Sequence, residues 1–318
     1  MSHIYIYSPS SAVRDKAAFR RGIKRLTQLG HEVEIDEAAL LSHQRFAGDD
    51  ATRLAAIDRA AASGADIAMI SRGGYGLTRL LPDLPYKRLA KAIEDGTQFV
   101  GLSDFTALQC ALLAKTGAVT WAGPALGEDF GSEELPDEIM AACFDDLACG
   151  QGEGTGWRLP KADAQALIVR CRAEPGALST DPAPFSINGA TLWGGNLSVI
   201  CALIGTPYLP EIEGGILFLE DTNEHPYRIE RQLTQLVNAG ILDQQQAVLM
   251  GSFNRYALVP GHDRGFNLNT VVSWVRERIE PPVLTGLPFG HVSTKVLLPV
   301  GQRVDLIVDG RDTLIYWG

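Results

Sequence analysis

The chain has 318 residues, of which 46% are hydrophobic and 21% are charged, and its formal net charge is −10. This composition is typical of a folded globular protein, and the length exceeds what one hydrophobic core usually supports, so we expect two domains. The negative charge argues against nucleic-acid phosphates and against an anionic membrane surface as partners.

The cysteines and the N-terminus indicate a cytoplasmic protein. The five cysteines are odd in number and form no CxxC pair, which is typical of reduced thiols and not of a disulfide framework or a zinc site. The N-terminal sequence MSHIYIYSPS enters a strand at once, which leaves no room for a secretory signal. No apolar run approaches the ~20 residues that cross a bilayer. We therefore expect a soluble, cytoplasmic protein without a membrane partner.

The first half of the sequence alternates strand-like and helix-like segments. In chain order they are HIYIYS (strand), DKAAFRRGIKRLTQLG (helix), HEVEID (strand), DATRLAAIDRAAASG (helix), DIAMISR (strand), TQFVGLS (strand), DFTALQCALLAKTG (helix) and AVTWAGPA (strand). Gly30, Gly64 and Gly117 close the three helices, as glycine commonly does. Over residues 1–150 this alternation predicts a largely parallel sheet covered by helices, with ligands at the carboxyl ends of the strands.

Residues 151–181 interrupt this alternation. The glycines of GQGEGTG neither follow a strand nor open a helix, so a linker between domains explains them better than a phosphate-binding loop. Residues 182–318 resume with strands and helices and end in a strand-rich segment, in which Asp309-Gly310 predicts a hairpin turn. The predicted fold class is therefore α/β: an N-terminal mostly parallel sheet flanked by helices, and a C-terminal mixed α/β domain with a β-rich end.

A serine stands at the junction between a strand and a helix in TQFVGLSDFTALQ. Ser103 could cap the helix, because a serine hydroxyl accepts well from a free N–H of the first turn. It could instead be a nucleophile on a tight strand–turn–helix elbow. Alone, the stretch favours the cap, since caps are far more common.

The segment ISRGGYG follows a buried strand. Backbone N–H groups at Gly73 and Gly74 could stabilise an oxyanion, and Arg72 could bind a carboxylate. The same residues could form an ordinary tight turn with an ion-paired arginine.

An acid and a histidine also follow apolar stretches. Glu220 ends an apolar strand and could orient a histidine in a catalytic triad. It could equally stabilise the N-terminus of the next helix together with Asp221 and Glu224. His291 follows the flexible Pro-Phe-Gly of LTGLPFGHV, where a lone histidine is usually a surface residue.

Combined, these residues supply every role of a serine hydrolase. Ser103 provides a nucleophile, His291 a base, Glu220 an acid that fixes the base, and Gly73–Gly74 the amides. Their order along the chain matches that of α/β-hydrolases, although Phe105 replaces the second glycine of GxSxG. No group of residues has metal-ligand spacing, so neither a metal nor another cofactor is expected.

Five motifs, SRGGYG, GLSDFTAL, WGGNLSVI, ILFLEDTNEHPYRIERQL and GLPFGH, resemble in order and spacing those of the LD-carboxypeptidases, the muramoyltetrapeptide carboxypeptidases. The resemblance implies a serine protease that removes the C-terminal D-alanine from murein tetrapeptides during peptidoglycan recycling. It further implies a homodimer that acts in the cytoplasm on a cell-wall peptide and needs no cofactor.

The resemblance also implies a role for each motif residue. Ser103 is expected to be the nucleophile, Glu220 the triad acid and His291 the base. The amide of Asp104, with one from Gly73 or Gly74, is expected to form the oxyanion hole. The candidates for substrate binding are Arg72 and Asn196.

Two alternatives share these motifs. A sister branch of the family hydrolyses microcin C, a peptide–nucleotide antibiotic, and related acyl-adenylates with the same triad. A non-catalytic muropeptide-binding protein could keep the fold, but such a protein has no need for all of Ser103, Glu220 and His291. The sequence leaves open whether meso-diaminopimelate or lysine precedes the D-alanine.

Overall fold

Strands and helices alternate along the residues that the computed structural model describes, 1–173 and 184–318. The strands are β1 (His3–Tyr7), β2 (Glu32–Ile35), β3 (Ile67–Ile70), β4 (Gln98–Gly101), β5 (Thr120–Ala122), β6 (Gly154–Arg158), β7 (Phe185–Asn196), β8 (Ile216–Thr222), β9 (Ala247–Asn254), β10 (Val283–Thr285), β11 (Leu298–Val300), β12 (Arg303–Asp309) and β13 (Asp312–Tyr316). The α-helices are α1 (Lys16–Gln28), α2 (Asp50–Ala62), α3 (Tyr86–Glu94), α4 (Thr106–Thr116), α5 (Glu138–Cys149), α6 (Lys161–Ala173), α7 (Leu197–Leu203), α8 (Pro226–Asn238) and α9 (Leu268–Arg276). Within the two described ranges, no helix is both long and apolar enough to cross a bilayer.

The chain divides into two compact units, each built from three segments. Unit 1 comprises Met1–Gly152, Ala202–Glu211 and Ser293–Gly301. Unit 2 comprises Glu153–Cys201, Ile212–Val292 and Gln302–Gly318. Two short segments of unit 1 therefore follow residues of unit 2 in the sequence.

The sheet of unit 1 has the strand order β11-β5-β4-β3-β1-β2, and only β11 runs antiparallel to its neighbour. All four residues of β3 are buried, as expected for a parallel strand covered on both faces. The predicted N-terminal parallel sheet flanked by helices is confirmed. Because β4, β3 and β1 are neighbours, the loops that follow them lie at one edge of the sheet, where α/β proteins bind ligands.

The sheet of unit 2 has the strand order β10-β9-β8-β7-β12-β13-β6. Strands β10, β9, β8 and β7 are parallel, and the remaining pairs are antiparallel. Strands β12 and β13 form the hairpin predicted at Asp309-Gly310, which confirms the mixed α/β fold with a β-rich end. In the β7–β8 ladder, Asn196 lies opposite Glu220 at the carboxyl ends of both strands.

Part of the predicted linker, residues 151–181, has regular structure. Strand β6 pairs with β13, and α6 follows it. A Cβ on Gly154 would lie 2.5 Å from the carbonyl oxygen of Ile315. The glycines that suggested a flexible linker therefore allow close strand packing at this position. Residues 174–181 lie outside the described residues.

A buried ion pair lies in the interior of unit 1. Lys295 Nζ is 2.6 Å from Asp129 Oδ1, and their side chains are only 2% and 3% exposed. Burial raises the pKa of Asp129, and the charge and hydrogen bond of Lys295 oppose that rise. The lysine therefore compensates a carboxylate that has lost its water.

Replacing Lys295 with methionine should destabilise the protein, because Asp129 stays buried and loses its cation. Breaking such a pair typically costs about 3–5 kcal/mol of unfolding free energy. A carboxyl group whose pKa is higher in the folded than in the unfolded state destabilises the folded protein more as the pH rises above its unfolded-state pKa of about 3.9. The loss of unfolding free energy should therefore be larger at about pH 7.5 than at about pH 4.5. Urea unfolding of the parent and the variant at both pH values measures this loss of unfolding free energy.

The matched control is Lys91→Met, which breaks the exposed ion pair with Asp95 and should change unfolding little. Equal effects of the two substitutions at neutral pH would show that the buried pair contributes nothing specific.

Candidate active site

Ser103 lies on a strained turn between β4 and α4. It begins a single 3₁₀ turn, Ser103–Phe105, and its φ of 65° is in the left-handed region. That conformation costs a residue with a side chain about 1–3 kcal/mol and is concentrated at functional sites. The cap positions of the 3₁₀ turn and of α4 are Leu102 and Phe105, and the Ser103 hydroxyl makes no hydrogen bond with the described residues, so it does not serve as a helix cap.

The turn after β3 approaches the serine directly. A Cβ on Gly73 would lie 2.6 Å from Ser103 Cβ and 2.9 Å from its Oγ, closer than real Cβ atoms come. Gly74 has a φ of 108°, and a Cβ there would lie 2.2 Å from Ser11 Oγ. Gly73 therefore has to be glycine for the backbone to reach Ser103, and Gly74 has to be glycine because Ser11 fills the space beside it. Within the described part of the chain, the amides of Gly73 and Gly74 donate no hydrogen bond.

The side chain of Asp104 ties three loops of unit 1 together. Its carboxylate accepts hydrogen bonds from Ser10 Oγ at 2.7 Å and from the Leu77 amide at 2.8 Å, and also from the Gly76 amide. Burial raises the pKa of Asp104, and these hydrogen bonds oppose the rise. The residue after the serine therefore fixes the glycine turn relative to it.

Arg53 supports the same turn from α2. Its side chain is fully buried and its Nη1 donates to the carbonyl oxygens of Pro9 at 3.0 Å and Gly76 at 2.9 Å. No motif in the sequence points to Arg53. Its spacing from Ala56, Ile57 and Ala60, the buried face of α2, is the signal that could have found it.

Arg72, a candidate substrate-binding residue, has spare hydrogen-bonding capacity. Its Nη1 donates to the Ala12 carbonyl oxygen at 3.2 Å. Its Nε is buried and has no hydrogen-bond partner among the described residues. Burial lowers the pKa of Arg72, as do the nearby charges of Arg14 and Arg45. An anionic group bound here would satisfy a donor that the protein leaves unpaired.

In unit 2, His291 and Glu220 form a buried pair. His291 Nδ1 lies 2.8 Å from Glu220 Oε2, and the side chains are 6% and 0% exposed. Gly290 has a φ of 122°, and a Cβ there would lie 3.0 Å from Glu220 Oε2. Asn254 Nδ2 donates to the His291 carbonyl oxygen at 2.8 Å. With Nδ1–H donated to the carboxylate, Nε2 is the nitrogen that can act as a base.

Asn196 joins the two adjacent acids of β8. Its Nδ2 donates to Glu220 Oε1 at 3.1 Å and to Asp221 Oδ1 at 3.0 Å. Strict strand alternation would turn the two acids to opposite faces, but the β8–β9 pairing shifts register between Leu219 and Asp221. Asn196 thus fixes the carboxylate that meets His291, and direct contact of Asn196 with a substrate stays a prediction.

Asp221 stabilises a helix, although not the one that the sequence suggested. It accepts hydrogen bonds from the amide and hydroxyl of Ser198, in the first turn of α7, at 2.9 and 2.6 Å. The next helix, α8, is capped instead by His225. Burial raises the pKa of Asp221, and so does the neighbouring charge of Glu220.

Each unit thus groups part of the predicted site. Ser103, Asp104, Gly73, Gly74 and Arg72 lie at one edge of the unit 1 sheet, and Glu220, His291 and Asn196 lie together in unit 2. The described residues include no group of three or more His, Cys, Asp or Glu side chains that could hold a metal ion.

Comparisons with known proteins identify the same family for both units. Residues 189–306 match the LD-carboxypeptidase C-terminal domain, and residues 4–123 match the LD-carboxypeptidase N-terminal domain. The crystal structure of a muramoyltetrapeptide carboxypeptidase from Oxalobacter formigenes is 38% identical and has a TM-score of 0.81, with coverage of 98% of this chain and 97% of that one.

Two curated relatives carry different names. The "probable murein peptide carboxypeptidase" of Bacillus subtilis is 28% identical, over 92% of this chain and 85% of its own. The microcin C7 self-immunity protein of Escherichia coli is also 28% identical, over 78% of this chain and 72% of its own. A solved structure of a microcin C7 self-immunity protein shares the fold, with a TM-score of 0.82 at 24% identity over 99% of this chain and 95% of that one. The chain belongs to the LD-carboxypeptidase family, in which the microcin self-immunity proteins are its close relatives.

Proposed function

We propose that the protein is a serine-type LD-carboxypeptidase that releases the C-terminal D-alanine from murein tetrapeptides. The observation that carries this proposal is the buried hydrogen bond between Glu220 and His291, because a neutral histidine oriented by a carboxylate is the base of a serine triad. The similarity to the Oxalobacter formigenes enzyme supports the murein substrate. We further infer that the protein acts in the cytoplasm, as a homodimer, during peptidoglycan recycling.

In this mechanism Ser103 is the nucleophile. His291 Nε2 takes the proton from Ser103 Oγ as that oxygen attacks the carbonyl before D-alanine. Glu220 stabilises the imidazolium of His291. The imidazolium then gives its proton to the amine of the departing D-alanine. Water, activated by the same histidine, hydrolyses the acyl-enzyme and restores Ser103.

Backbone amides stabilise the charge that develops on the carbonyl oxygen. The amides of Gly73 and Asp104 are our candidates, and Gly74 is the other amide of the turn. The absence of a side chain at Gly73 supports this role, since backbone there lies against Ser103. Donors fixed before the reaction need no reorganisation, which makes such sites effective. Arg72 is our candidate for holding the carboxylate of D-alanine.

Microcin-type hydrolysis is the second candidate, favoured by the 28% identity to the Escherichia coli self-immunity protein. It uses the same nucleophile, acid and base on a peptide–nucleotide or an acyl-adenylate. Substrate comparison therefore separates the two functions, whereas substitutions in the triad do not.

The protein should release free D-alanine from a tetrapeptide in which an L-centre precedes D-alanine, and it should cut a pentapeptide ending in D-Ala-D-Ala poorly. In the pentapeptide the acyl centre has the D configuration, and a displacement of the carbonyl by about 1 Å can cost roughly 10²-fold in rate. Mass spectrometry of both digests measures the ratio.

Ser103→Ala is the control for that experiment and should lose ~10⁶ in turnover while it melts like the parent. Equal D-alanine release from both peptides would exclude LD specificity. Hydrolysis of an aminoacyl-adenylate with neither peptide cut would favour the microcin-type function.

Glu220→Gln should cost ~10³ to 10⁴ in kcat, because an amide at this position favours the wrong tautomer of His291. Asp221→Asn should reduce kcat far less. It should lower stability by roughly 1–3 kcal/mol, because one oxygen of Asp221 accepts from Ser198 and the other from Asn196 and the Thr222 amide, and an amide has only one such oxygen. Kinetics and thermal unfolding of both variants test this, and the opposite order of the two kcat values would move the triad acid to Asp221.

Gly73→Ala should lower kcat about 10²-fold, since the added methyl group must displace either Ser103 or the turn by a distance on the order of 1 Å. Gly152→Ala is the matched control, because a Cβ there has its nearest neighbour at 3.6 Å, an ordinary contact. Parent-like turnover in Gly73→Ala would mean that this close approach has no part in the reaction.

A further inference from the structure

A cavity of about 460 Å³ lies at the carboxyl ends of β8 and β9, entirely within unit 2. We call it the strand-end pocket. Its lining includes Asn223, His225, Arg228, Arg255 and Asp263. None of these residues has a role in the proposed triad or oxyanion hole.

The pocket is connected to the proposed base by a short chain of hydrogen bonds. The Asn223 amide donates to the Asn254 carbonyl oxygen at 2.9 Å, and Asn254 Nδ2 donates to the His291 carbonyl oxygen at 2.8 Å. Asn223 follows Glu220 by three residues, which at roughly 3.3 Å per residue places it within about 10 Å of the triad acid. The backbone that lines the pocket is therefore joined directly to the backbone of the proposed base and acid.

Two lining residues have strained backbones. Asn223 has a φ of 64° and Arg255 a φ of 56°, and neither is glycine. They follow the ends of neighbouring parallel strands, the position at which α/β sheets bind ligands. Strained residues of this kind are concentrated at ligand-binding sites.

The charged groups of the pocket differ in the hydrogen bonds and ion pairs that they already make. Arg255 is exposed and makes no hydrogen bond or ion pair with any of the described residues. Arg228 Nε donates to Tyr227 Oη at 3.2 Å, and its Nη1 forms a long ion pair of 3.7 Å with Glu224. Asp263 is already held by the Val259 amide and by His225, which lower its pKa. The pocket thus has one guanidinium group, that of Arg255, without a partner among the described residues, and a second, that of Arg228, which is partly engaged, while its carboxylate is fully engaged.

We propose that the strand-end pocket binds an anionic group of the substrate, away from the bond that is cut. This proposal rests on the proposed function. Guanidinium groups bind carboxylates and phosphates by paired, charge-assisted hydrogen bonds. In a murein peptide the anion is the carboxylate at the end of a meso-diaminopimelate side chain, where lysine has only an ammonium group.

The experiment compares two tetrapeptides that differ only in the residue before D-alanine, meso-diaminopimelate or lysine. The parent should prefer the first by about tenfold or more in kcat/KM, since a charged hydrogen bond is gained with one side chain and repulsion with the other. Arg255→Gln should bring the ratio towards one, as should Arg228→Gln. Arg255→Glu should favour the lysine peptide.

Arg278→Glu is the matched control, because Arg278 is an exposed arginine of unit 2 that does not line the pocket, and it should leave the ratio as in the parent. Equal cleavage of both peptides by the parent, or an equal loss of kcat/KM for both peptides in Arg255→Glu, would overturn the proposed role of the pocket. In either case the release of D-alanine would still support the proposed function.

If neither peptide is cut, the proposed function fails, and calorimetric binding of the two uncut peptides tests the pocket. A fall of about tenfold in affinity for the meso-diaminopimelate peptide in Arg255→Gln, but not in Arg278→Glu, supports the pocket. Binding that is independent of Arg255 overturns it.

Discussion

The backbone of Gly73 lies against Ser103 so closely that a single methyl group would not fit between them. Several residues of unit 1 at this edge of the sheet hold the two backbone segments close together. Ser103 takes a left-handed φ, and the glycine turn must be fixed, since a mobile turn would separate from a strained residue. Asp104 and Arg53 supply the fixation through hydrogen bonds to both the amide and the carbonyl oxygen of Gly76. Two charged groups are therefore buried, and each is stabilised because backbone groups meet it.

In unit 2, two adjacent buried acids also have to be stabilised by hydrogen-bond donors. Glu220 and Asp221 are both buried, and burial raises the pKa of Asp221, with a further rise from the neighbouring charge of Glu220. Asn196 donates to both, while Ser198 adds two more donors to Asp221. The consequence is that Glu220 is held in place for His291, and Asp221 at the same time stabilises the start of α7. One polar cluster thus combines a proposed chemical role with a structural one.

The sequence predicted the α/β alternation, the parallel N-terminal sheet and the hairpin at Asp309-Gly310, because these depend on local hydrophobic periodicity and turn chemistry. It could not predict that Arg53 supports the glycine turn, since that contact depends on β4, β3 and β1 being neighbours. Local composition was also ambiguous at Gly154, where glycine serves edge-strand packing as readily as it serves a linker. The hydrogen bond between Glu220 and His291 was expected from motifs, whereas the register shift beside Asp221 has no signal in the sequence.

The proposed catalytic residues and the residues proposed to select the substrate are held by different kinds of contact. The proposed triad is held by close backbone contacts, at Gly73 and Gly290, which tolerate little change. Arg255 lies on a loop beyond the strand end and is exposed, so its side chain can change without disturbing those contacts. A family that keeps its nucleophile, acid and base can therefore accept a different anionic substrate by changing such loop residues. Motifs of the triad therefore cannot distinguish a murein peptide from a peptide–nucleotide, whereas we expect exposed loop residues such as Arg255 to select the side chain that the protein accepts.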